Sequence, residues 1–125
     1  MKKMLTVVLL LASHHALAQE WVTYSSARGE TQAYNSQSLQ RDGGLVTVWT
    51  RNIYDQPQLL DNGKHAKYGM AKTIVDCKNE TVWFTSLLFY DESNAVVSMT
   101  NGAKPDVLSI PPGSAASLLK RRVCQ

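Results

Sequence analysis

An α+β fold, a small curved antiparallel β-sheet of about six strands with one C-terminal α-helix packed on it and tied by a disulfide, is predicted from three observations. Between residues 21 and 100, short runs rich in Val, Thr, Tyr and Trp alternate with Gly, Asn and Asp turns. One segment near the C-terminus places apolar residues at helical spacing. Two cysteines, Cys77 and Cys124, are far enough apart in the chain to join a strand to that helix. With 125 residues, 44% of them apolar, the chain has room for one domain and no linker, repeat or low-complexity stretch.

The predicted strands are Trp21 to Ser26, Thr31 to Asn35, Leu45 to Tyr54, Lys67 to Cys77, Thr81 to Tyr90 and Ala95 to Thr100. The segments Ala27-Arg28-Gly29, Arg41-Asp42-Gly43-Gly44, Lys78-Asn79-Glu80 and Asp91-Glu92-Ser93-Asn94 separate them with residues that tolerate tight or left-handed backbone. In the fourth strand, Ala71, Thr73, Val75 and Cys77 share one face at period two; all are small or β-branched, so a helix can lie across them. Tyr68, Met70, Lys72, Ile74 and Asp76 form the bulkier, mixed opposite face. The fifth strand is apolar on both sides: strict alternation puts Val82, Phe84, Leu88 and Tyr90 on one and Trp83, Leu87 and Phe89 on the other.

Pro111-Pro112-Gly113-Ser114 leads into the helix, with Ser114 as N-cap. Ala115, Leu118, Leu119 and Val123 make its apolar stripe, and Lys120, Arg121 and Arg122 fall in the last turns, where cations complement the helix dipole. An even pair of cysteines in an exported chain is most simply a disulfide. Two free thiols, or half of a metal site, form the competing reading, for which the sequence has no CxxC pair.

Export itself is read from the N-terminus. Lys2 and Lys3 precede a nine-residue apolar run, Met4 to Ala12, and Ala16-Leu17-Ala18 is a small-x-small cleavage site ahead of Gln19. Residues 1–18 are therefore expected to be a signal peptide and 19–125 the mature domain. Removing the signal takes away two of the thirteen Lys and Arg residues and no acid, so the net charge falls from +3 to +1. A nucleic-acid partner loses its electrostatic basis. The same cut leaves His65 as the sole histidine, within a polar stretch.

Catalytic patterns are scarce. Ser117-Leu118-Leu119-Lys120 has a Ser-x-x-Lys spacing but none of the companion elements that make it a nucleophile, and no phosphate loop, dinucleotide fingerprint or calcium loop occurs. The expectation is a non-enzymatic domain with no cofactor and no metal. The segment most open to a protein partner is the twelve-residue stretch Asp55 to Ala66, expected as an irregular excursion between the two long strands. Leu59 and Leu60 are apolar within it, and Arg51, Lys64, Lys67 and Tyr68 stand in or beside it as candidate contact residues.

Trp21, the Val48-Trp49-Thr50 strand, Val75-Asp76-Cys77, Tyr90-Asp91, and Ile110-Pro111-Pro112-Gly113-Ser114 before a helix ending Val123-Cys124 together resemble the surface-adhesin protein E family of Gram-negative bacteria. The resemblance implies a sheet with a C-terminal helix fastened by the disulfide. It also implies an adhesin-like function, the capture of host matrix or serum proteins such as laminin, vitronectin and plasminogen. The alternative is a periplasmic binding or inhibitor protein, for example of lysozyme. Gln19 stands at the cleavage site and no cysteine precedes Cys77, so a lipid anchor at the mature N-terminus has no residue to carry it. Both periplasm and cell surface remain as destinations. Intact mass and N-terminal sequencing of the exported protein should give a chain beginning at Gln19; a mass that retains residues 1–18 would mean that the leader is kept.

Overall fold

The computed structural model describes residues 20–101 and 106–125; the expected signal peptide lies outside the described residues. The strands are β1 (Trp21–Ala27), β2 (Glu30–Asn35), β3 (Gln40–Asp42), β4 (Leu45–Leu59), β5 (His65–Asp76), β6 (Thr81–Tyr90), β7 (Val96–Asn101) and β8 (Leu108–Ser109), followed by helix α1 (Ala115–Val123). They form one eight-stranded sheet in the order β1-β2-β4-β5-β6-β7, with β3 paired to β4 and β8 to β6. Every pairing is antiparallel.

Eight strands replace the expected six because β3 and β8 carry no periodic apolar signal. Gln40, Arg41 and Asp42 are all exposed and pair with β4 across Gly43-Gly44, where Gly43 has a φ of 60°. That left-handed turn suits glycine and closes a two-residue hairpin. Leu108 and Ser109 extend the β6 edge opposite Val82 and Thr81.

Helix α1 covers one face of the sheet. Val46, Val75, Val82, Leu119 and Val123 form the core, and Tyr24, Tyr34, Leu39, Ala116 and both cysteines pack around it. The buried stripe of α1 therefore runs through Ala116, Leu119 and Val123, while Ala115 and Leu118 face a groove beside Ser25 and Arg28. Ser114 caps the helix by accepting the Ser117 N–H at 3.2 Å. At the other end the Arg41 guanidinium donates to the Val123 carbonyl, which meets one of the unpaired acceptors of the last turn. Deeper in the sheet, the Thr50 and Thr73 hydroxyls lie 2.9 Å apart, so two buried polar groups satisfy each other.

Two bulges alter what alternation predicts. In β6 the register shifts opposite Lys72 and Thr73, so Thr85 is the extra residue. Beyond it the faces exchange: Val82, Phe84, Leu87 and Phe89 share the helix face, and Trp83, Leu88 and Tyr90 share the other. In β4, Ile53 pairs with Tyr68 but Gln58 pairs with Ala66, leaving Tyr54 to Pro57 outside the ladder. Pro57 has no N–H to give, and the Asp55 N–H goes instead to the Gly29 carbonyl at 2.8 Å. The expected excursion at 55–66 is thus mostly strand. It reduces to a five-residue turn, Leu60 to Lys64, in which Gly63 takes a φ of 80°.

Cys77 and Cys124 form a disulfide with a Cα–Cα distance of 5.7 Å and a sequence separation of 47. Closing a loop of that length restricts the unfolded chain by about 4 kcal/mol on the chain-entropy view. Replacing either cysteine by serine should therefore lower unfolding free energy by about 2 to 5 kcal/mol in a denaturant titration. An unchanged midpoint would mean that helix docking alone holds the fold.

Candidate functional site

The sheet face turned away from α1 is defined by register. One row crosses six strands as Thr23, Ala33, Arg51, Met70, Leu88 and Met99. The next runs through Thr31, Ile53, Tyr68, Tyr90 and Val96, and on the other side lie Trp49, Lys72 and Ser86, then Ile74 with Trp83. The face is rich in aromatic and long apolar side chains, and among the described residues no element covers it. Met99 is 61% exposed and Val96 50%.

At its centre is a cavity of about 320 Å³ lined by Trp21, Arg51, Ile53, Tyr68, Met70 and Asn94. The Arg51 guanidinium carbon stands 4.4 Å from the centre of the Trp21 ring, a cation–π contact. Tyr68 stacks on Tyr90, with ring centres 4.7 Å apart and planes 10° from parallel, and its hydroxyl donates to Asn94 Oδ1 at 3.0 Å. Burial, then Tyr90, push the Tyr68 phenol above its ordinary pKa; Arg51 pulls against them and Asp91 adds to the rise. Asn94 is presented by a tight turn with a φ of 62°, fixed because Asp91 Oδ1 accepts the Ser93 and Ala95 N–H groups at 2.8 and 3.0 Å.

Of the residues expected to make contacts, Arg51 and Tyr68 meet in this cavity. The others do not join them. Lys67 donates to the Tyr54 and Asp55 carbonyls at 2.8 and 3.5 Å and so braces the β4 bulge. Leu59, 68% exposed, pairs with His65 at the hairpin end, which puts His65 in a strand. Leu60 is half-buried and Lys64 exposed in the turn, where the Leu60 N–H bonds the Lys64 carbonyl at 2.8 Å. Nothing local in the sequence marks Trp21 and Asn94 for this cavity, because their approach to Arg51 and Tyr68 depends on pairings between distant strands.

Beyond the end of α1, the helix face holds a second cavity of about 170 Å³, with Tyr24, Gln32, Asn52, Leu87 and Phe89 among its walls. The Phe89 ring lies across Gly69, where an added Cβ would come within 3.1 Å of it. Glu30 accepts from Asn52 Nδ2 at 3.0 Å and from Gln32 Nε2 at 3.4 Å, which turns the Gln32 oxygen toward the Tyr24 hydroxyl, 3.0 Å away. Burial pushes Tyr24 from an ordinary 10.0 up to about 12.

Ser117 and Lys120 do not face each other as a nucleophile and base would. The Ser117 hydroxyl donates to the Ser114 carbonyl at 2.6 Å, and Lys120 is paired with Glu80 at 2.6 Å, so Ser-x-x-Lys is two separate structural contacts. The Glu80 carboxyl is held below its ordinary pKa by that bond. Among the described residues, no group of three or more His, Cys, Asp or Glu could hold a metal ion, and no helix is long and apolar enough to cross a membrane.

Fold and face together define a class: one antiparallel sheet, closed on one side by a disulfide-tied terminal helix and open on the other. Residues 21–125 match the surface-adhesin protein E family, and the chain belongs to that family. Its fold is that of protein E from Haemophilus influenzae. A selenomethionine form of that protein superposes with a TM-score of 0.60 at 18% identity, covering 86% of this chain and 92% of the other. A second crystal form gives a TM-score of 0.63 at 16% identity, covering 86% and 95%. Protein E from a non-typeable strain gives 0.58 at 18%, covering 86% and 85%. No curated protein sequence matches.

The second cavity yields a pH test. Burial favours the neutral Tyr24 phenol, so its contribution is fully present below pH 10 and is lost as pH rises toward about 12. A two-unit rise corresponds to about 2 to 3 kcal/mol. Denaturant unfolding at alkaline pH should show this loss in the parent and a flatter profile in Tyr24→Phe; identical profiles would remove Tyr24 as the cause.

Proposed function

We propose that this chain is an exported, non-enzymatic, adhesin-like domain, residues 19–125 after loss of a signal peptide, that binds a protein ligand on its open sheet face. Host matrix and serum proteins are the ligand class that family membership favours. The observation that carries the reading is the face itself: Trp49, Trp83, Tyr68, Tyr90, Met70 and Leu88 are held on a rigid sheet with no covering element among the described residues. Aromatic and Met-rich surfaces of this kind supply interface anchors, whereas lone exposed apolar residues need no explanation.

The proposed contact is centred on the sheet and not on the hairpin that the sequence points to. Arg51 and Tyr68 line the cavity in the body of the sheet, and Leu59, Leu60, Lys64 and Lys67 stand at the margin, in or beside the 55–66 hairpin.

Binding of the exported domain to immobilised laminin, vitronectin, plasminogen and lysozyme, with Met70→Glu as the interface variant and Arg122→Glu as control, tests this. A charge in the middle of the face should weaken binding at least tenfold, about 1.4 kcal/mol, while the control at the end of α1 leaves it unchanged. Equal binding by Met70→Glu would place the contact elsewhere. Binding to lysozyme alone would favour the inhibitor reading.

A further inference from the structure

We propose that the Trp21–Arg51–Tyr68–Asn94 cavity is a carboxylate-binding site that receives a glutamate or aspartate side chain of the protein ligand; this deepens, and rests on, the reading of the open face as the binding surface. Arg51 is the first reason. A guanidinium carries five N–H donors, yet among the described residues none of them meets an acceptor. Its Nε is buried without a partner, and the ion pair found among the described residues lies elsewhere, between Lys120 and Glu80. What holds the cation is the Trp21 ring, 4.4 Å away, which fixes the group while leaving its terminal nitrogens unspent. A bidentate fork toward a planar carboxylate is the bond such a group is shaped to make.

The walls agree with that polarity. Because the Tyr68 hydroxyl donates to Asn94 Oδ1 at 3.0 Å, the Asn94 amide nitrogen is left as a second donor beside the cavity. Ile53 and Met70 offer apolar surface for the methylenes of an acidic side chain. At about 320 Å³ the space exceeds by roughly tenfold the share of one water molecule.

Charge along the face points the same way. The register rows place Arg51 and Lys72 on it and, as acids, Asp76 and Asp42 at the far end, both opposite Leu45. Asp76 is already engaged: its carboxylate accepts the Lys78 and Asn79 N–H groups at 3.1 and 3.0 Å and the Asn79 side chain at 2.8 Å. Asp91, the acid next to Tyr68, keeps its charge but is held to its own turn and makes no ion pair with Arg51. At the centre of the face the Arg51 guanidinium thus stands without an ion-pair partner among the described residues, and one guanidinium with one amide suits a single negative charge better than a phosphate, which carries nearly two.

The test uses a short N-acetylated, C-amidated peptide containing a Glu-Glu pair, its Gln-Gln isostere, and glucuronate as an acidic sugar, titrated into the exported domain. Tryptophan fluorescence and the Arg51 Nε–H resonance are the readouts. The acidic peptide should shift both signals and bind at least tenfold more tightly than the isostere. Arg51→Gln and Asn94→Asp, each confirmed folded by thermal unfolding, should each lose at least tenfold in affinity. Equal affinity for acidic peptide and isostere, undiminished binding by Arg51→Gln, or no response to the acidic peptide would overturn the proposal. A response to glucuronate alone would overturn the acidic side chain as the source. The two readings separate cleanly: if Met70→Glu abolishes capture of a panel protein while Arg51→Gln does not, the face stands and the carboxylate site falls. If the acidic peptide binds but no panel protein does, the site stands and the proposed ligand class falls.

Discussion

The rest of the molecule depends on how one short helix is held against one face of the sheet. A nine-residue helix has little stability of its own in water. Here three constraints converge on α1: burial of Leu119 and Val123 against Val46, Val75 and Val82, the Ser114 cap, and the covalent bond from Cys124 to Cys77. Covering that face supplies the core. It also decides which face remains open, because a single layer of helix cannot cover both sides of a sheet.

Once the helix side is committed, the β6 bulge sets which of that strand's residues each face receives. Without the extra residue at Thr85, Leu88 and Tyr90 would point toward the helix side, and Tyr68 would lose its stacking partner. With it, Leu87 and Phe89 turn to the helix side, where Phe89 fits over Gly69, and Tyr90 reaches Tyr68. The β4 bulge serves another end. It frees the Asp55 N–H to bind the β1–β2 turn at Gly29 and gives Lys67 two carbonyls to bridge, so the hairpin is braced at its base.

What could be read from the sequence was what local pattern encodes. Alternation located the main strands, Ser114 and the apolar spacing located the helix, and the cysteine count gave the disulfide. Long-range registry was not legible. Thr85 has nothing in its neighbours to mark it as a bulge, so strict alternation puts Leu87 to Tyr90 on the faces opposite to those they occupy. Pro57 and the polar residues around it resemble a loop, yet β4 continues through them: the Asp55 N–H finds a partner at Gly29 outside the ladder, and pairing with β5 resumes at Gln58. Arg51 and Tyr68 were identifiable as residues beside a candidate surface, but Trp21 lies thirty residues from Arg51 and meets it only through β2.

The position of the disulfide also determines how the domain answers a pulling force. A load entering through the last residues passes from Cys124 directly into Cys77 at the end of β5, so α1 and everything between the two cysteines are shielded from it. A load entering before Trp21 acts on the start of β1. Because β1, β2, β4 and β5 alternate in direction, these two points lie at the same end of the sheet. Tension between them opens the ladders one hydrogen bond at a time, as a zip, instead of shearing whole strands past each other. Under such traction β1 would peel first, taking Trp21 away from Arg51 and Tyr24 off the helix side, while Val46, Val75, Val82, Leu119 and Val123 stayed packed together.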